Sequence, residues 1–178
     1  REVMVGGEPM STLKVNRIEP RTGDSVEIVG LEIPKADVAC RVHLGNTQLT
    51  IKNTYMKINL DVVDFDTKGW YDVSNYRYTP QESGYYLVIV KLATQDTTQD
   101  NGRHAFVTKN GDMVSGSYRT NKLGAMHTSY SQDIVYCNGT TDYLEPWGMD
   151  EANDGSWSNS SEFNAGDNAY ISITKVAA

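Results

Sequence analysis

The sequence predicts an all-β protein folded as a two-sheet sandwich with one hydrophobic core. Short runs in which apolar and polar residues alternate recur along the chain, and clusters of Gly, Asn, Asp and Ser separate them. This pattern is typical of half-buried strands joined by turns, and helical periodicity is hard to find. About eight predicted strands with no helix between them favour a jelly roll, the commonest sandwich of that size.

The strongest predicted strand is the continuous apolar run at residues 84–92, which begins at a glycine. Its side chains alternate between two apolar faces: Tyr86, Val88, Val90 and Leu92 on one, and Tyr85, Leu87 and Ile89 on the other. An antiparallel strand at the surface of a monomer keeps one face in water. We therefore expect a second sheet to cover one face and a neighbouring copy of the chain to cover the other.

The first 35 residues contain two short apolar runs separated by a turn at residues 19–24. The apolar residues of these runs include Leu13, Val15, Ile18, Val26 and Ile28. So few apolar side chains cannot hold a fold alone. We predict that residues 1–35 form an extended attachment segment and residues 36–178 form the folded domain. Residues 1–9 precede Met10, a candidate natural start.

The predicted strands of the folded domain begin with two alternating runs, at residues 38–44 and 56–62. A turn-bearing aromatic stretch at residues 65–71 leads towards the central strand. Beyond it, Asn110-Gly111 between two short runs predicts a tight hairpin, because a two-residue type I′ turn needs positive φ at both positions.

The second half of the domain is predicted to contain three further strands. Residues 126–137 place Met126, Tyr130, Ile134 and Tyr136 on one face. Residues 142–149 form another strand, where Pro146 requires a sheet edge or a bulge. Residues 169–176 close the chain, and polar residues 94–102 and 150–166 are expected to be loops.

Composition excludes several classes of protein. The formal net charge of −7 argues against nucleic-acid binding, which needs a positive surface. An uninterrupted apolar run of about 18 residues, the length of a membrane-spanning helix, is absent from the sequence, and no leader typical of a signal peptide is seen. Cys40 and Cys137 lie outside any metal or redox spacing, so we expect two buried thiols.

The motifs that carry catalysis or metal binding are not found. His43, His104 and His127 fall on separate strands without zinc-binding spacing, so we expect them to face solvent. Asp66 belongs to a group of acids, and a hydrogen-bonded turn acid is the better interpretation than a catalytic carboxylate. The protein is therefore predicted not to be an enzyme and to need no cofactor.

The loop at residues 150–166 raises two alternatives. Its acids at residues 150–155 are suited to calcium, although Ala152 stands where a ligand is required, and calcium stays a minority option. Trp157 and Asp154 are candidate contacts to a receptor such as a host surface glycan.

The domain resembles the C1q family over about residues 38–176. The residues that fall on the spacing of its signature are Leu60, Asp66, Tyr71, Tyr78, Gly84, Tyr86 and Val88. Leu60 and Val88 depart from it, since the family usually has Phe or Tyr there. Residues 107–111 also resemble the family's Val-Lys-Asn-Gly hairpin. The resemblance implies a C1q/TNF-like jelly roll that assembles as a compact homotrimer, and we predict that Tyr85, Leu87, Ile89 and Tyr170 form the interface.

The N-terminal segment is similar to the opening of many virion proteins of tailed bacteriophages. The resemblance lies in residues 10–23, and residues 173–177 also look phage-like. It implies a virion protein that decorates the head or forms a fibre or knob, with residues 10–34 contacting capsid or tail proteins. The alternatives are the receptor-binding tip of a tail fibre and a secreted C1q/TNF-like ligand.

Overall fold

The computed structural model describes residues 37–49, 51, 53–95, 102–120, 126–151, 162–163 and 166–178. Within these ranges the regular structure is strand only. The strands are β1 (Ala39–Leu44), β2 (Gln48–Leu49), β3 (Met56–Lys57), β4 (Val62–Asp66), β5 (Tyr71–Asp72), β6 (Arg77–Tyr78), β7 (Ser83–Gln95), β8 (Gly102–Lys109), β9 (Asp112–Thr120), β10 (Met126–Asn138), β11 (Leu144–Glu151), β12 (Glu162–Phe163) and β13 (Gly166–Ala177). The described residues include no helix long and apolar enough to cross a membrane.

The strands form two antiparallel sheets, as the alternating pattern predicts. Sheet I runs β4-β1-β13-β7-β10, with β12 pairing to the far end of β7 and β2 pairing to β12. Sheet II runs β5-β6-β11-β8-β9, with β3 paired to β11. The long strand β7 therefore lies between β13 and β10, and the prediction that it is central is confirmed.

The hydrophobic core fills the space between the two sheets. Tyr86, Val88 and Val90 of β7 are fully buried there, together with Ala105 and Val107 of β8. The alternation at residues 38–44 is also confirmed, since Val38, Cys40, Val42 and Leu44 are all buried. One of the two apolar faces of β7 is thus covered by sheet II.

The predicted hairpin joins β8 to β9. Asn110 and Gly111 have φ values of 56° and 87°, as a type I′ turn requires. The amide of Asn110 donates to Asp142 Oδ1 at 2.8 Å, and its side-chain oxygen accepts from the backbone of Tyr143 at 2.9 Å. The turn is therefore held against the start of β11.

The prediction of one strand at residues 56–62 is wrong. Met56 and Lys57 belong to β3 of sheet II, whereas Val62 begins β4 of sheet I. The chain crosses between the sheets here and buries Ile58 and Leu60 completely. Alternation survives the crossing because every second side chain still points into the core.

The prediction that Pro146 requires a sheet edge or a bulge is also wrong. Strand β11 has β8 on one side and the short strands β3 and β6 on the other. Leu144 pairs with β6 and Trp147 with β3, so Pro146 falls where the two short strands leave a gap. Its carbonyl accepts from the backbone of Ile58 at 2.9 Å. The missing N–H therefore interrupts no regular ladder.

The predicted loop at residues 94–102 begins later than expected, because β7 continues to Gln95 and β8 starts at Gly102. Asp150 and Glu151 belong to β11 instead of a loop, and residues 162–163 form β12. The rest of the loop at 152–161 lies outside the described residues. So does the segment 1–36, and its separation from the domain stays a prediction.

The edge strands β9 and β10 meet along one side of the sandwich. The hydroxyl of Ser115 donates to the backbone oxygen of Gln132 at 3.1 Å. Arg119 Nη1 donates to the backbone oxygen of Thr128 at 3.3 Å. Side chains of sheet II thus occupy backbone acceptors along the outer edge of sheet I.

Candidate assembly face

The outward face of sheet I carries an apolar surface where β7 pairs with β10. Four outward-facing pairs follow one another: Tyr85 with Tyr136, Leu87 with Ile134, Ile89 with Gln132, and Lys91 with Tyr130. The apolar members define what we call the apolar zone: Tyr85, Leu87, Ile89, Tyr130, Ile134 and Tyr136. Cross-strand neighbours of this kind lie about 5 Å apart, so the zone is continuous.

The apolar zone is open to solvent in a single chain. Ile134 is 58% exposed, Tyr130 50%, Tyr136 48% and Tyr85 46%, while Leu87 and Ile89 are half-buried. Scattered exposed apolar residues are ordinary, but a contiguous patch of them marks an interaction surface.

Two tyrosines stiffen one end of the apolar zone. The rings of Tyr85 and Tyr136 meet edge to face, with centroids 5.4 Å apart and planes at 60°. This is a favoured geometry for an aromatic pair. The ammonium group of Lys109 lies 6.0 Å from the centroid of the Tyr136 ring. A partner would therefore meet rings that are already ordered.

Tyr170 of β13 lies beside this zone on the same outward face. Its ring is half-buried, with the Arg41 guanidinium 4.6 Å and the Lys91 ammonium 5.6 Å from its centroid. The structure therefore brings together all four residues predicted for the trimer interface. Whether they contact another copy stays a prediction.

A polar strip separates Tyr170 from the far edge of sheet I. It consists of Arg41, His43, Ser172 and Thr174. Asp64 accepts a hydrogen bond from Arg41, and its other oxygen lies 2.8 Å from His43 Nδ1. The charged groups of the strip are thus paired within the chain.

Apolar side chains return on β4, the edge strand beyond the polar strip. Phe65 lies opposite Arg41 and Val62 lies opposite His43 in the strand register. Both share the outward face, and they are 47% and 38% exposed. We call these two residues the β4 zone.

The sequence reasoning missed part of this face. It placed Tyr130, Ile134 and Tyr136 on one side of a strand but did not assign them to the interface. Periodicity shows which residues share a face, and it does not show which strand pairs with β7. The pairing of β10 along the full length of β7 adds these three residues.

Two predictions about individual polar residues are tested directly. Asp66 accepts hydrogen bonds from the backbones of Lys68 at 3.2 Å and Tyr71 at 2.8 Å, which confirms the turn acid. His104 does not face solvent as expected: it stacks on Phe106, with ring centroids 5.5 Å apart, and its side chain is only 14% exposed. Its outward position is covered because neighbouring aromatic rings pack over it.

Both cysteines are buried free thiols, as predicted. Burial raises the pKa of the Cys137 thiol to about 11, and burial together with the nearby Asp66 raises the pKa of Cys40 further above its ordinary value. The thiols therefore stay protonated at neutral pH and pack as small apolar groups.

Several predicted site residues lie outside the described residues. These are Trp157 and Asp154 of the candidate receptor loop, and Leu13, Val15, Ile18, Val26 and Ile28 of the attachment segment. Within the described ranges, no group of three or more His, Cys, Asp or Glu side chains could hold a metal ion. The calcium option concerns residues that are mostly outside those ranges and stays untested.

A scan against protein-family models finds no match, and a search of curated proteins finds none either. Solved structures do match. Murine APRIL at pH 5.0 aligns with a TM-score of 0.54 and 13% identity, over 78% of this chain and 99% of that one.

Two further structures match at similar levels. The globular domain of zebrafish complement 1qA gives a TM-score of 0.51 at 10% identity, over 79% of this chain and 97% of that one. Eiger TNF from S. frugiperda gives 0.50 at 11% identity, over 79% and 92%. At these identities the likeness concerns the fold alone. The protein has a C1q/TNF-like jelly-roll fold, and that prediction is confirmed.

Proposed function

We propose that the protein is a non-enzymatic structural protein that assembles as a homotrimer through the outward face of sheet I. The observation that carries the proposal is the apolar zone, which a single chain leaves exposed on an otherwise acidic protein. The C1q/TNF-like fold supports it, since the family resemblance implies a compact trimer.

The energetics of this face suit a permanent assembly. Burying one large apolar side chain contributes about 1.5–3 kcal/mol. The six side chains of the apolar zone can therefore offset the association cost of about 4–15 kcal/mol. The edge-to-face pair of Tyr85 and Tyr136 lowers that cost further, because packed rings lose less freedom on binding.

The oligomeric state is the first test. Light scattering on the purified full chain at micromolar concentration should give three times the chain mass of 19.8 kDa. A stable, soluble monomer under these conditions would overturn the proposal.

We further propose that the trimer lies on the outside of a phage particle, as a head decoration, fibre or knob. The support is the resemblance of residues 10–23 to the opening of phage virion proteins. In this arrangement residues 10–34 contact capsid or tail proteins through Leu13, Val15, Ile18, Val26 and Ile28. The domain at 36–178 is then the exposed head, and loops 94–103 and 150–166 are placed to reach a host glycan.

The virion assignment is tested on particles. Mass spectrometry of purified particles from the source of the gene should find this chain in multiples of three, and immunogold labelling should place it on the head or the tail. Recovery of the chain only in the medium, apart from any particle, would instead favour a secreted trimeric ligand. That second candidate is supported by the TNF, complement 1qA and APRIL structures that share the fold.

A further inference from the structure

A ring of three identical copies needs two different surfaces on each copy, because every copy contacts one neighbour with its left side and the other with its right. The apolar zone supplies one such surface. The β4 zone, Val62 and Phe65, lies at the opposite edge of the same sheet. We propose that the β4 zone of one copy packs against the apolar zone of the next copy; this inference rests on the homotrimer proposed above.

The strand order of sheet I carries the geometry of this junction. Strands β10 and β4 are separated by β7, β13 and β1. At a spacing of about 4.8 Å per strand, the two edges are about 19 Å apart. When three such faces enclose a threefold axis that runs along the strands, they form a triangular prism. At each corner of the prism, the β10 edge of one face meets the β4 edge of the next.

The exposure of β4 supports this pairing. Natural edge strands usually carry charged residues or proline that discourage contact. Here the outward residues of the edge are Phe65, 47% exposed, and Val62, 38% exposed. The polar strip between the two zones satisfies its own charges through Asp64, Arg41 and His43. The apolar side chains therefore lie at the two edges that a ring would join.

The size of the face is adequate for such a contact. From Tyr85 to Lys91, β7 spans about 20 Å at about 3.4 Å per residue, and the five strands span a similar width. The projected area is then about 400 Å², at which a continuous apolar patch exceeds the ordinary surface of a monomer.

Mixing two variants tests the junction in the full chain. Ile134→Asp places a charge in the apolar zone, and Phe65→Asp places one in the β4 zone; both positions are exposed, so the fold should persist and circular dichroism checks it. Each variant alone should be monomeric by native mass spectrometry at tens of micromolar. An equal mixture should form a one-to-one heterodimer, because the intact zone of each variant can meet the intact zone of the other once.

A cross-link provides the second measurement. The double variant Phe65→Cys/Ile134→Cys, treated with a short bis-maleimide, should give a covalent trimer, whereas each single variant should stay a monomer on a denaturing gel. Cys40 and Cys137 are buried and should not react.

Three outcomes would overturn the junction while leaving the homotrimer in place: a trimer formed by Phe65→Asp, a mixture of the two charged variants that stays monomeric, or a dimer cross-linked through Ile134→Cys alone. A monomeric wild-type chain would instead overturn the homotrimer itself.

Discussion

Arg103 of β8 and Asp150 of β11 face each other directly in the register of sheet II and form a salt bridge in which each side chain is only 2% exposed. Arg103 is among the largest side chains that the core encloses completely. The two charges lie between the sheets, where each depends on the other.

Removing one partner of this pair should destabilise the fold strongly. Arg103→Ala leaves the Asp150 carboxylate buried without its cation, and we expect the free energy of unfolding to fall by about 3–5 kcal/mol. Urea unfolding measures the change. The double variant Arg103→Met/Asp150→Leu removes both charges and should recover most of the loss. Lys68→Ala is the control, because its partner Asp37 is 80% exposed, and it should change stability little. An Arg103→Ala variant as stable as wild type would contradict this account.

A charge in the apolar zone should abolish assembly. Ile134→Asp would bury an unpaired carboxylate at the interface, which costs several kcal/mol and weakens association by at least about 100-fold. Sedimentation over a concentration series measures the dissociation constant. Met113→Asp is the matched control, since Met113 is also about half exposed, at 51%, but lies on β9 of sheet II. Equal effects of the two substitutions would show that the face of sheet I is not the interface.

Two glycines with the same backbone conformation should respond differently to alanine. Gly69 and Gly139 have φ values of 70° and 74°, so Ala pays a similar backbone cost of about 1 kcal/mol at either position. A Cβ at Gly69 meets nothing within 4 Å, whereas one at Gly139 would lie 2.3 Å from the backbone nitrogen of Ser83. Gly139→Ala should therefore lower the melting temperature well beyond Gly69→Ala in calorimetry. Similar melting temperatures for both variants would show that the β10–β11 turn can shift to make room.

Stability should fall as the pH rises above about 9. Burial raises the pKa of Cys137 from its ordinary 9.0 to about 11, and burial, with a smaller effect of Glu82, raises that of Tyr86 from 10.0 to about 12. Both groups hold their protons more tightly in the folded chain, so the unfolded chain loses protons first. The contribution of Cys137 is fully present below pH 9 and is lost as the pH rises through 11; that of Tyr86 is lost between pH 10 and 12.

Urea midpoints measured from pH 8 to 11 check this dependence. Cys137→Ala should flatten the decline without removing it, because Cys40 and Tyr71 also have raised pKa values. A midpoint that stays constant or increases over this range would be inconsistent with buried, protonated thiols.

Local patterns predicted much of this fold. Alternation at Val38 to Leu44 and along β7 identified the core side of each strand, because a pleated strand that is half buried imposes a period of two. The turn at Asn110-Gly111 followed from the positive φ that such a hairpin demands. These features depend on neighbours along the chain, which the sequence displays.

Features that depend on distant pairing were not predictable in the same way. The crossing at Ile58 and Leu60 keeps the alternation of a continuous strand, so the change of sheet is invisible to periodicity. Pro146 is accommodated because β3 and β6 end on either side of it, which is a property of strand order. Likewise, Ile134 joins the candidate interface only because β10 pairs with β7.

The seam at which Ser115 and Arg119 donate to the backbone oxygens of Gln132 and Thr128 bears on how growth of an assembly would stop. An incoming strand could add to β10 only by displacing these donors, so the rim resists the strand-by-strand recruitment that leads to fibrils. Copies that meet at this rim must therefore join through side chains, which favours a closed particle of fixed number over an endless polymer.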